Sequence, residues 1–151
     1  MINNKDIQTE IHRFEDKCRQ AGLKITPQRT AVFKALVESE DHPSAEVLWK
    51  EIRKTFPHIS LDTVNRALLT FSEIGTAFIV EGTSGVRRYD ANMENHQHFK
   101  CVKCKRIIDL DSIDLENIKL PAEMVGKVKI LRKSVRFEGI CDKCLDQKGK
   151  Q

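Results

Sequence analysis

Four of the five cysteines form two Cys-x-x-Cys pairs, Cys101/Cys104 and Cys141/Cys144, with 36 residues between the pairs. Thiolates three positions apart grip one ion from a tight turn. Two such turns complete a tetrahedral set of four sulfurs, which suits Zn²⁺ at ~2.3 Å. Four thiolates leave no coordination position open, so the expected Zn²⁺ is structural and its binding free energy becomes folding free energy. Coincidental cysteines, an iron–sulfur cluster and a redox dithiol are the competing readings. The long spacer predicts a clip joining distant elements of one domain rather than a local finger.

A second constellation carries nitrogen and oxygen donors. His96-Gln97-His98 puts two imidazoles on one side of an extended segment, because side chains alternate with period two. Asp90 precedes the pair and Asp109 follows the first cysteine turn. Such donors suit a borderline divalent ion (Fe²⁺, Mn²⁺ or Zn²⁺) better than a soft one. The competing reading is a solvated loop whose histidines bond to backbone. Taken alone, His42 before Pro43 reads as a surface residue, as do His12 and His58. Cys18 falls on an apolar helical stripe and reads as a small core residue rather than a reactive thiol.

These residues need elements to position them. Ile7, Ile11, Phe14 and Cys18 recur at helical spacing, and Gly22 is the expected stop. Thr26-Pro27 reads as an N-cap with proline in the first turn, opening a helix that buries Val32, Phe33, Leu36 and Val37. Ser44 is expected to cap a third helix with Val47, Leu48, Ile52 and Phe56 inward, closed by Pro57. Ser60 is expected to cap a fourth, with Leu61, Val64, Leu68 and Phe71 inward, ending at Gly75; Asp62, Asn65, Arg66 and Leu69 face elsewhere. Runs 77–81 and 86–89 read as strands joined by a turn at residues 82–85. Helices followed by such a hairpin fit either a winged helix-turn-helix or a small helical domain whose hairpin covers its core. Beyond Asp90 the pattern predicts an α+β second domain, with the join near residues 88–95. Strands are expected at 98–103 and 106–110, a helix at 114–126 broken or started near Pro121, and one or two strands within 127–140.

The length of 151 residues fits one domain or two small ones, and 40% hydrophobic with 32% charged residues is globular composition. No apolar run approaches the ~18–20 residues of a membrane helix. Segment 1–18 carries charge throughout without an apolar stretch, so no secretory signal is expected and a cytoplasmic location is. The net charge of +4 permits a nucleic-acid partner. Residues 1–92 hold 13 Lys/Arg against 13 Asp/Glu, and residues 93–151 hold 13 against 9. The N-terminal part must therefore bind DNA, if it does, with individually placed residues.

In that order the motifs resemble the ferric uptake regulator superfamily of bacterial metal-dependent repressors. The resemblance spans about residues 10–146 and rests on Gly22-Leu23-Lys24-Ile25-Thr26-Pro27-Gln28-Arg29, His42-Pro43-Ser44-Ala45-Glu46, Ser60 to Leu68, His96-x-His98 and both cysteine pairs. It implies an α+β fold: a winged helix-turn-helix DNA-binding domain over 1–90, then a small α/β dimerisation domain over 91–151 bearing the four-cysteine zinc site. It also implies a cytoplasmic homodimer that binds double-stranded DNA at an inverted-repeat operator, with a regulatory Fe²⁺ or Mn²⁺ between the two domains.

The peroxide-responsive branch uses three histidines and two aspartates for that ion. The matching positions here are His42, Asp90, His96, His98 and Asp109, and His42 and His96 match the imidazoles oxidised on sensing. Iron-uptake members generally carry Glu where this chain has Asp90, and their additional site is missing at Asn95, Gln97 and residues 132–134. The resemblance thus implies a peroxide-sensing repressor that performs no turnover; an iron-uptake or other metal-occupancy regulator is the alternative. A non-haem iron enzyme built on two histidines and a carboxylate, and a zinc-bearing structural adaptor, are readings from other classes. Where relatives usually read Thr-Val-Tyr-Arg in the recognition helix, this chain has Thr63-Val64-Asn65-Arg66. Asn65 removes an aromatic contact and supplies an amide suited to adenine. Lys24 matches a minor-groove reader.

Overall fold

Capping chemistry sets the helix boundaries in the computed structural model, which describes residues 4–81, 85–94, 96–111, 114, 117–130 and 133–146. Helix α1 (Asn4–Gln20) is followed by Gly22 at φ +68°; Gly22 N–H donates to Arg19 and Leu23 N–H to Cys18. That paired bonding satisfies the last carbonyls and requires the left-handed backbone glycine adopts most cheaply. Thr26 accepts from Arg29 N–H at 3.2 Å and opens α2 (Pro27–Glu38). Ser44 accepts from Val47 N–H to open α3 (Ala45–Ile52). Ser60 accepts from Thr63 N–H at 3.1 Å to open α4 (Leu61–Glu73), which closes at Gly75 with the same bonding as α1.

The chain divides into two compact units, Met1–Met93 and Glu94–Gln151. The first holds α1–α4 and an antiparallel pair, β1 (Phe78–Glu81) and β2 (Arg88–Asp90), in register Phe78↔Asp90 and Ile79↔Tyr89. The expected turn at residues 82–84 lies outside the described residues. Phe14 stacks on Phe33 at 4.2 Å between ring centroids, and Phe71 meets both edge-on at 5.0 and 5.6 Å. These rings tie α1, α2 and α4 into one core with Val32, Leu36, Val64 and Leu68. Each such buried side chain contributes roughly 1.5–3 kcal/mol of hydrophobic stabilisation. Cys18 is fully buried there, as expected of a core residue.

Two expectations for α3 change. Val47 is 57% exposed, because Ala45, Leu48 and Ile52 form the buried stripe and Val47 lies about 100° around the helix from Leu48. The helix also stops at Ile52 instead of running to Pro57; turns carry the chain to a half-buried Phe56. Helix α3, its turn and α4, followed by the β1–β2 hairpin, make a winged helix-turn-helix.

The second unit is built on a three-stranded sheet in the order β4–β3–β5. Central β3 (Gln97–Cys101) runs antiparallel to β4 (Ile107–Leu110) and parallel to β5 (Arg136–Gly139). The buried Gln97 side chain accepts from Val135 N–H at 2.5 Å, fixing the entry to β5. A five-residue helix, α5 (Asp142–Asp146), follows.

The helix expected over 114–126, broken or started near Pro121, does not run through the described residues as one α-helix; residues 115 and 116 lie outside them. Asp114 is helical, residues 117–121 are irregular, and Ala122–Met124 make one 3₁₀ turn. Pro121 lacks an N–H and pushes Leu120 to extended backbone, so no α-helix passes through it. Residues 127–130 are irregular too, and β5 is the one strand among the described residues of 127–140. Val128 and Ile130 are 45% and 46% exposed, so their alternation covers no core within this unit.

Candidate metal centres

Two turns and a helix start bring the cysteines together in the second unit. The chain reverses at Cys101–Cys104, where Lys105 N–H donates to the Cys101 carbonyl and Lys105 takes φ 64°. Beside it, Val102 N–H donates to Gly139, so β5 delivers Cys141 to the first turn, and α5 carries Cys144. The parallel register Cys101↔Gly139 explains why a 36-residue spacer still closes one cluster.

The sulfurs fit a tetrahedral ion. Cys104 and Cys141 Sγ are 3.7 Å apart, and all four sulfurs lie within 4.8 Å of one another. Zn–S bonds of ~2.3 Å in a tetrahedron put sulfurs ~3.8 Å apart. Backbone amides aimed at Cys101, that of Cys141 first (Sγ to N 3.4 Å), bring its thiol down to about 6. Burial pushes Cys144 up to about 12, reinforced by its neighbouring sulfurs. The cluster stabilises one thiolate and resists the next.

The nitrogen and oxygen donors of this unit converge as well. The β3–β4 register sets His98 opposite Asp109, and His96 precedes β3 with its ring 4.6 Å from that of His98. Asp109 Oδ1 stands 3.4 Å from His98 Nε2 and 3.7 Å from His96 Nε2. His96 Nδ1 is 2.7 Å from the Glu94 carbonyl, which only accepts, so Nδ1 carries the proton. In neutral His96 the Nε2 lone pair then faces a carboxylate oxygen. Two acceptors at that spacing repel unless a cation lies between them, and a backbone bond on the other nitrogen is how metal-binding histidines are oriented.

In the first unit, His42 is buried and its Nε2 lies 3.1 Å from Asp90 Oδ2. Sequence reading by itself put His42 at the surface. The isolated bridge Ser44↔Arg88 and the bond from Tyr89 N–H to the Pro43 carbonyl (3.0 Å) extend β2 by an antiparallel segment. Counting outward from that bridge sets His42 opposite Asp90. Asp90 Oδ1 also accepts from Asn92 N–H at 2.8 Å. The family resemblance grouped these two residues, and long-range strand pairing shows how they meet. Of the positions that match the additional site of iron-uptake members, Asn95 and Arg132 lie outside the described residues, and Gln97 accepts from Val135 N–H.

Helix α4 carries the candidate DNA contacts. Thr63 Oγ1 bonds to the capping Ser60 hydroxyl at 2.8 Å, so it forms part of the first turn. Asn65 is exposed, and exposed Arg66 pairs with Asp62 at 2.9 Å. Lys24 is exposed between α1 and α2, where its carbonyl accepts from the Arg29 guanidinium.

Comparison with known proteins follows the same lines. A model of the ferric uptake regulator family matches residues 20–138. The peroxide-responsive repressor PerR of Staphylococcus aureus is 30% identical over 146 residues, covering 97% of this chain and 99% of that protein. The Helicobacter pylori ferric uptake regulator Fur, described as having three functional metal binding sites, superposes with TM-score 0.77 at 26% identity (92% of this chain, 93% of the other). PerR from Streptococcus pyogenes, described in terms of peroxide sensing and gene regulation, gives TM-score 0.52 at 26% identity (89% and 92%).

Proposed function

The chain belongs to the ferric uptake regulator family, and on that footing we propose that it is a DNA-binding repressor that senses peroxide through a regulatory Fe²⁺ or Mn²⁺. Members of this family are transcriptional regulators and not enzymes. The observation that carries the reading is the donor set: His42 with Asp90 in one unit, and His96, His98 and Asp109 in the other. Three imidazoles and two aspartates would hold one ion, and Cys101, Cys104, Cys141 and Cys144 would hold a structural Zn²⁺. These five side chains would hold the ion, and it would supply redox chemistry toward peroxide when bound.

With its ligands drawn from both units, such a site acts as a clamp. His42 and Asp90 fix the winged helix, while His96, His98 and Asp109 fix the sheet. Closing the clamp sets the spacing of two α4 helices in a homodimer, so that Lys24, Thr63, Asn65 and Arg66 reach half-sites ~34–36 Å apart in an inverted repeat. The second unit presents Val125, Val128, Ile130 and Phe137 to solvent, 45–64% exposed, which supports self-association there. An Fe²⁺ held there would supply redox chemistry toward peroxide, one peroxide oxygen going to an adjacent imidazole and the other leaving as water. His42 and His96 are the side chains that would take that oxygen; either one, once oxidised, loses its lone pair for the clamp, and the operator is released. A coupling of ~1–3 kcal/mol corresponds to 5–150-fold in DNA affinity.

His42→Ala is expected to abolish metal-dependent operator binding in a gel-shift or anisotropy titration while leaving the zinc content and dimer mass unchanged. Metal-dependent binding that survives the substitution would refute the clamp. After peroxide treatment of the Fe²⁺-loaded protein, peptide mass spectrometry is expected to show one added oxygen on a peptide containing His42 or His96. Release from DNA without that oxygen would instead make the protein a metal-occupancy sensor.

A further inference from the structure

Strand β2 holds His42 at two points. Arg88 and Asp90 are two positions apart, so their side chains leave the strand on one face. Asp90 meets the imidazole, with its Oδ2 3.1 Å from Nε2. Arg88 meets the backbone of the same residue, its Nε donating to the His42 carbonyl at 2.5 Å. These contacts span 48 and 46 positions of sequence, so neither is a by-product of local geometry.

His42 lies in the connection between α2 and α3, with exposed Asp41 before it and buried Pro43 after it. The Tyr89 N–H bond to the Pro43 carbonyl and the isolated Ser44↔Arg88 bridge tie this segment to β2. Pro43 has no N–H to give, so the short ladder is one donor short. The Arg88 guanidinium supplies a charged donor to the carbonyl just before the proline, and charge-assisted hydrogen bonds are the stronger kind. His42 is buried, and a buried carbonyl that loses its donor is costly. Deleting the guanidinium therefore lets residue 42 turn toward another partner and takes the ring with it.

We propose that Arg88 is a positioning residue for the regulatory ion: it fixes the His42 backbone so that the imidazole stands ready beside Asp90. Its charge works against a cation bound nearby, so the two effects of Arg88 have opposite signs. Charge alone would make Arg88→Gln bind the ion more tightly, whereas positioning makes it bind more weakly. Partners that orient metal ligands change affinity by about 10–100-fold when lost. One half-exposed charge, screened by water and salt, changes it less, and positioning wins. The inference rests on the reading that His42 is a ligand of that ion. It puts the wing strand in control of the first imidazole.

The test titrates Mn²⁺ into full-length, zinc-loaded protein and reads free Mn²⁺ by electron paramagnetic resonance. Arg88→Gln is expected to weaken Mn²⁺ binding about tenfold, and Arg88→Lys, which keeps the charge and a donor, about threefold. On a His42→Ala background, Arg88→Gln is expected to add nothing, because its effect runs through His42. A role confined to wing stability would weaken binding equally on both backgrounds, and that result overturns the proposal, as does native or tighter binding in Arg88→Gln. If His42→Ala binds too weakly for the comparison, the order native, Arg88→Lys, Arg88→Gln decides. The metal-free unfolding midpoint of the Trp49 signal is then the control, and an affinity loss that tracks a fall in that midpoint overturns the proposal. If Arg88→Gln does not fold, Arg88→Lys decides by the same measurements. Native Mn²⁺ affinity in His42→Ala overturns the ligand reading of His42 and this inference together. Weakened binding in His42→Ala beside native affinity in Arg88→Gln overturns only the inference.

Discussion

His42 and Cys18 show what burial does to a residue. His42 looks like loop surface in sequence, yet pairing beside β2 buries it against Asp90. Cys18 reads as a small core residue in sequence, and it is sealed in the aromatic core, where burial raises its ionisation range. A thiol whose folded pKa is raised stabilises the fold below its unfolded pKa, and that contribution is lost as pH rises past it. Native protein is therefore expected to leave Cys18 unmodified by iodoacetamide at neutral pH and to expose it on unfolding, read by peptide mass spectrometry. The thermal midpoint of the wild-type chain should also fall more between pH 8 and 10 than that of Cys18→Ala. Rapid native labelling would contradict the packing of α1. The cysteine pairs, by contrast, were readable at once, because Cys-x-x-Cys is a local turn and its chemistry depends on spacing alone.

Helices whose ends carry their own caps could be read residue by residue. Thr26-Pro27, Ser44 and Ser60 start α2, α3 and α4 as predicted, since a side-chain oxygen bonding an amide three residues on is a local event. Two changes measure these ends. Gly22→Ala puts a Cβ at φ +68° with nothing within 4 Å, so its cost is backbone strain alone, about 1–2 kcal/mol by urea unfolding. Thr26→Ala removes the cap of α2 and is expected to cost about 1 kcal/mol. A Gly22→Ala protein as stable as the native one would mean α1 does not end in a left-handed residue. Elements without such signals were misread. The break expected near Pro121 is present, but only one 3₁₀ turn follows it, and Val47 was placed inward by apolarity where the stripe of α3 excludes it.

The two units differ in what holds them together. Unit 1 has an aromatic core; the buried cluster of unit 2 is Cys101, Cys141 and Cys144, with Phe99 and Ile140 packed against it. A sheet with so little apolar interior depends on its metal. Stripping zinc with a strong chelator under reductant is expected to melt the second unit and leave the first folded. Trp49 and Tyr89, the single tryptophan and the single tyrosine, both lie in unit 1 and report separately from the total far-ultraviolet signal. A tryptophan signal lost in step with the sheet would mean the units do not fold independently.

Sequence by itself determined the capped helices, the wing, the four-thiolate clip and the family, because each is written in contacts a few residues apart or in motif order. Tertiary structure decided what depends on strand register: His42 opposite Asp90, His98 opposite Asp109, Cys101 beside Gly139 and hence Cys141, and Arg106 against Asp142. Register is set by hydrogen bonds between segments 11 to 48 positions apart, and no local preference of the chain encodes which residues will face each other across them.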